Sequence, residues 1–163
     1  MVAIFGNFIN RVVVLTNKYY DAVVPTPSEF NQIDEATLAA VKAYPDVIAS
    51  SIERYRFREA GQELMNLARL GNKYLADEEP WKRTKTIMFV ALQIASALAT
   101  LSEPFLPFTS TKLKSILNMS SSALKTSWNE VSSKDVLLPA GHQIGKAELL
   151  FSKIEDGTIQ KQL

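Results

Sequence analysis

The chain has 163 residues, 47% of them hydrophobic and 21% charged, which is one ordinary globular domain with room for a real core. Lys and Arg number 18 against 17 Asp and Glu, and a net charge of +1 excludes a wholesale nucleic-acid coat, which needs a large basic excess. With no Cys and one His, a disulfide scaffold, a thiolate zinc site, a Cys nucleophile and a multi-His metal site are excluded too.

Met1 to Phe5 has no basic stretch followed by a long apolar run, so no signal peptide is expected, and the lack of Cys fits a reducing, cytoplasmic setting. Arg11 to Thr16 is β-branched and passes locally for a strand. The wider pattern decides for a helix: Phe5, Phe8 or Ile9, Val12, Leu15 or Thr16, and Tyr19 recur every three or four residues. On that helix Asn7, Arg11 and Lys18 share one stripe, flanked by Asn10 and Asn17. Two readings stand. One is a plain solvated face. The other notes that Asn and Arg carry directional donors and acceptors of the kind that read base edges.

Pro25-Thr26-Pro27-Ser28 reads as a rigid linker. Asp34 is expected to cap a helix through Leu38, Val41 and Ile48, with Pro45 a kink or a break. Helical spacing resumes at Tyr55 or Phe57 and runs to Leu75, with Ala60, Leu64, Gly71 and Tyr74 on one face. Asp77-Glu78-Glu79-Pro80 reads as a helix start, since acids and Pro suit a first turn. Trp81 follows, ahead of Lys82, Arg83 and Lys85. Its indole either packs against neighbours or stacks on an unpaired base while the cations hold nearby phosphate.

Thr86 to Ser102 carries no charge. It is shorter than the ~20 apolar residues a membrane span needs and reads as the buried central helix of a bundle. Pro104 and Pro107 end it, and Thr109 to Met119 forms a short further helix. Ser120 to Lys134 is Ser-rich and loop-like, with a turn of helix at Ser122 to Trp128. Pro139 to Gly145 is a loop, and Leu149, Leu150, Phe151 and Ile154 make a last short helix or an extended docking segment. The pattern is all-α: about five helices plus an irregular C-terminal segment, one domain over residues 1–163. His142 has no nucleophile beside it in sequence, and a structural hydrogen bond in the Gly-His loop is its expected role.

Taken together, several stretches resemble the anticodon-binding domain of methionyl-tRNA synthetases, the C-terminal helical bundle of that class I family. They are Asn7-Phe-Ile-Asn-Arg11, Asn17-Lys-Tyr-Tyr-Asp21, Phe57-Arg-Glu-Ala60, Leu67-Ala-Arg-Leu-Gly-Asn-Lys-Tyr74, Glu79-Pro-Trp-Lys82, Pro104-Phe-Leu-Pro107, Gly141-His142 and Leu150-Phe-Ser-Lys-Ile-Glu-Asp156. Asn-Lys-Tyr followed by Glu-Pro-Trp is the most specific combination, and the sister enzymes for valine, isoleucine and leucine, which share the bundle, are not expected to match all of it. The resemblance implies that Asn7, Arg11 and Trp81 recognise the CAU anticodon of methionine tRNA, with Trp81 stacked on the cytosine. Asn10, Lys18, Lys82 and Arg83 are supporting candidates. It implies a parent ligase that charges methionine onto its tRNA. ATP and zinc belong to a catalytic portion absent from this chain, which itself holds no cofactor and catalyses nothing. Its partners would be the tRNA, that catalytic domain and, through a C-terminal extension, a second copy; no membrane is involved. The competing reading is a helical protein-interaction module whose patch is Tyr19, Tyr20 or Trp128.

Overall fold

A helix that is apolar on every side has to lie at the centre of its fold. Thr84–Leu101 does so: it is long and apolar enough to cross a membrane, yet 89% of it is buried inside the protein, against each of the other α-helices. Some of its polar groups are satisfied within the helix, as when Ser96 Oγ donates to the Leu92 carbonyl at 2.8 Å, and others by distant segments, as when Thr86 Oγ1 accepts from the Ser28 backbone N–H at 3.0 Å. The structure is a computed structural model describing residues 2–78, 83–119 and 126–152. In chain order a π-turn over Val2–Gly6 leads into α1 (Asn7–Tyr20), then α2 (Gln32–Glu53), α3 (Phe57–Asp77), α4 (Thr84–Leu101), α5 (Pro107–Ile116) and α6 (Trp128–Ser133). The expected bundle of about five helices thus has six α-helices among the described residues, and a single isolated β-bridge joins Val23 to Gln143.

The β-branched run of α1 is helical because its apolar spacing points inward: Phe8, Ile9, Val12, Val13 and Thr16 are all buried. Asp34 is not the cap of α2. Asn31 is, and Asp34 sits at the third helical position, where its carboxylate accepts from the Asn31 backbone N–H at 2.9 Å while Asn31 Oδ1 accepts from Asp34 N at 2.8 Å. Pro45 does not break the chain into two helices; α2 runs through it, with Val41, Pro45 and Ile48 buried on one face.

Asp77 and Glu78 finish α3 rather than start α4, which begins at Thr84. An acid at a helix C-terminus opposes the local dipole. Glu78 is compensated by Arg83, whose Nη1 lies 3.3 Å from its Oε2. Of the stretch Ser122 to Trp128, where a turn of helix is expected, residues 122–125 lie outside the described residues; Ser127 and Glu130 form a capping box that starts α6 at Trp128, within a stretch read as loop-like. No helix forms over residues 149–152. The ring of Phe151 instead meets Phe5 edge-on at 6.1 Å, which is the docking alternative, while Ile154 lies outside the described residues. His142 has the structural role expected of it, one ring nitrogen standing 2.9 Å from the Leu117 carbonyl oxygen. Of the three aromatics considered for a partner patch, Tyr19 is exposed, whereas Tyr20 and Trp128 are half-buried and pack against the core.

Candidate nucleic-acid interface

The groove that matters is built by a close approach of two helices. Gly71 of α3 faces the buried ring of Phe8 of α1, and a β-carbon at Gly71 would stand 2.6 Å from Cε2 and Cζ of that ring. Only hydrogen fits there. The contact seats the N-terminal half of α1 on α3, so polar residues on the two rims face a common space. The resulting open groove, about 510 Å³, is lined by Ala3, Ile4, Asn7, Asn10, Arg11, Arg69 and Asn72. Asn7, Asn10, Arg11 and Arg69 are exposed. Asn72 is half-buried and fixed: its Nδ2 donates to the Ile4 carbonyl at 2.9 Å and to the Ala68 carbonyl at 3.2 Å, leaving its own oxygen to accept. Arg69 donates from Nη1 to Asn66 Oδ1 at 2.8 Å.

On the other side of the Asn7–Asn10 ridge lies a smaller notch of about 80 Å³, lined by Gly6, Glu148, Leu149, Leu150 and Phe151 as well. The ridge therefore separates a basic, amide-rich groove from a notch that carries an acid.

The stripe read from the sequence divides accordingly. Asn7, Asn10 and Arg11 open onto the groove. Lys18 does not line it; its ammonium sits over the Tyr19 ring, 5.1 Å from the centroid. Asn17 is structural, donating to the carbonyls of Val13 at 2.9 Å and Gly145 at 3.1 Å. Arg69 and Asn72 were missed by sequence reasoning. They stand three apart within Leu67 to Tyr74, with Gly71 beside them, and that spacing was the available signal.

Trp81 and Lys82 lie outside the described residues. Arg83 pairs with the buried Asp34, pairs with Glu78, and donates to the Glu29 carbonyl at 3.0 Å, so its guanidinium is engaged within the fold. The phenol of Tyr74 donates to the other Asp34 oxygen at 2.7 Å. Burial, followed by that hydrogen bond to a carboxylate, pushes the Tyr74 phenol well above its ordinary value. Glu78 and Arg83 are thus tied to each other directly.

The groove offers amides and guanidinium groups, which bind and discriminate; it presents no hydroxyl or thiol nucleophile. Among the described residues no three His, Asp or Glu side chains converge as a metal site would require.

The family model for the anticodon-binding domain of methionyl-tRNA ligase matches residues 24–162, a span that leaves out α1. Curated relatives match throughout. The methionine–tRNA ligase of Christiangramia forsetii is 68% identical over 172 residues, covering all of this chain and 25% of that protein. That of Flavobacterium johnsoniae is 61% identical over 193 residues, covering all of this chain and 27% of that protein. The chain thus spans about a quarter of the length of the relatives it matches. In fold it resembles the methionyl-tRNA synthetase of Mycobacterium tuberculosis. The free form superposes with a TM-score of 0.80 at 20% identity, over 95% of this chain and 32% of that one. The complex with methionyl-adenylate gives 0.82 at 21% identity, over 91% and 30%. By these matches the chain belongs to the family of methionyl-tRNA ligase anticodon-binding domains.

Proposed function

We propose that the chain binds the anticodon loop of methionine tRNA and reads its CAU triplet, as the tRNA-selecting part of a methionine–tRNA ligase. One observation carries this reading: Asn7 and Arg11, the pair marked by the family resemblance, share a single groove, and none of its described lining residues is acidic. Amide and guanidinium groups at a groove rim suit splayed single-stranded bases, whose edges are free to pair with them. Asn7 and Arg11 hydrogen-bond base edges or the adjoining backbone, Asn10 supports them, and Trp81 stacks on the cytosine with Lys82 near its phosphate. Arg83 belongs to this reading as the anchor of the segment that carries Trp81. Lys18, away from the groove, contributes at most long-range charge.

In the same reading the parent enzyme uses ATP, and its zinc lies in the catalytic portion; this chain, without Cys and with one His, does not fit a zinc centre. The enzyme works in the cytoplasm, its catalytic part docks on this bundle within one polypeptide, and a C-terminal extension pairs two copies.

The test is binding of anticodon stem-loops that carry CAU or one changed base. Good base contacts give about 1–3 kcal/mol of discrimination per position. Equal binding of all loops overturns the reading. Trp81→Ala should weaken the CAU loop selectively and leave the helical circular dichroism unchanged.

A further inference from the structure

The groove holds a second guanidinium, on α3, to which the family resemblance gives no role. We propose that Arg69 is the phosphate-holding residue of this interface, fixing the path of the loop backbone while Asn7 and Arg11 read bases. The inference rests on the anticodon reading and specifies how the work is divided within it.

Arg69 projects from α3, across the groove from Asn7, Asn10 and Arg11 of α1, and it is exposed. Its hydrogen-bond partner is a neutral amide, Asn66, so the full positive charge stays available to an anion. Arg83 has given its charge to Asp34 and Glu78, and Lys18 sits over an aromatic ring outside the groove. Two cations, Arg11 and Arg69, therefore face one groove with no acid among its described lining residues, while Glu148 stands on the far side of the Asn7–Asn10 ridge. A polyanion crossing the ridge is drawn to the Arg69 side and repelled from the Glu148 side. Arg11 shares its helix stripe with Asn7, one turn away, so the two present their polar groups from the same wall. Arg69, on the opposite wall, is left to meet the strand from its backbone side. With a net charge of only +1 on the whole chain, such a contact has to come from a specific residue rather than a general basic surface.

The experiment measures affinity of the chain for the CAU stem-loop and for a loop with one changed anticodon base across a series of NaCl concentrations. Wild type is compared with Arg69→Gln, Arg69→Lys and Arg11→Gln. Arg69→Gln is expected to weaken both loops by the same factor, roughly tenfold, leaving their ratio untouched. Its plot of log affinity against log salt should become shallower by about 0.7 for one lost phosphate contact. Arg69→Lys should keep most of the slope, and Arg11→Gln should collapse the ratio. If Arg69→Gln changes the CAU preference, Arg69 is a base reader and the proposal fails. If affinity and slope stay at wild-type values, it makes no contact and the proposal fails. Failure of the anticodon reading looks different: wild type itself then binds both loops equally, whatever Arg69 does to the salt slope.

Discussion

Phe8 and Gly71 are in contact across the α1–α3 interface so closely that the ring occupies the space of a glycine's missing side chain. The two helices in contact there carry the walls of the groove on which Asn7, Arg11 and Arg69 open.

Gly71→Ala should therefore destabilise the fold by about 1–3 kcal/mol, because the buried ring has nowhere to retreat and overpacking outweighs the gain in helix propensity. Gly61, in the same helix, is the control, because a β-carbon there would meet nothing within 4 Å. Gly61→Ala should stabilise by up to about 1 kcal/mol. Urea midpoints at constant slope would show the two glycines moving in opposite directions, and a drop for both would refute the steric account.

Asp34 joins three elements: from the third position of α2 it completes the capping box with Asn31, it accepts from Tyr74 of α3, and it pairs with Arg83 at the entrance to α4. Asp34→Ala should cost about 3 kcal/mol, since it strands a buried hydroxyl and removes one of the two carboxylates that pair with the half-buried guanidinium of Arg83. Because the Tyr74 pKa is raised in the folded protein, native Tyr74 keeps its proton where the unfolded chain has lost it. Its contribution is whole below the ordinary value of 10.0 and is lost progressively above it. Unfolding free energy should fall above that pH by up to about 1.4 kcal/mol per pH unit. Tyr74→Phe should make the fall shallower. Tyr20 and Tyr44, also raised by burial, keep part of it. An unchanged alkaline slope in Tyr74→Phe would refute the assignment.

Gln93 lies buried in α4 and acts as a bracket for the chain after α6. Its Oε1 accepts from Leu137 N at 2.7 Å and Leu138 N at 2.9 Å, and its Nε2 donates to the Leu138 carbonyl at 2.8 Å. Gln93→Leu keeps the bulk and strands three backbone groups, at a cost of about 3 kcal/mol or more. Hydrogen exchange of the Leu137 and Leu138 amides should accelerate far beyond that of α4 itself; uniform acceleration would mean that the segment is not held this way.

Asn7→Ala and Arg11→Gln should leave stability within about 0.5 kcal/mol, both side chains being exposed. Each should lower discrimination between stem-loops by about 1–3 kcal/mol. Equal loss of affinity for every loop would make them charge and shape contacts only. Thermal melts run beside the binding titrations separate the two effects.

The local code was legible wherever one segment decides its own state. The charge-free stretch identified α4, apolar spacing made a helix of the β-branched α1, and the family motifs marked Asn7, Arg11 and Trp81. Boundaries were less so. Asp77 and Glu78 look like a helix start until Arg83 is seen to neutralise Glu78 at a helix end, and Pro45 looks like a break until its helix is packed.

What the sequence by itself determined is the all-helical class, the central helix and the chemical character of the α1 stripe, because hydrophobic period and side-chain chemistry are local properties. What only the tertiary structure decided is which cations remain available. Arg83, Arg69 and Arg11 are alike as letters, but Asp34 and Glu78 neutralise the first, while the Phe8–Gly71 contact brings the other two to opposite walls of one groove. Electrostatic pairing and close helix packing depend on distances between residues far apart in the chain, and folding sets those distances.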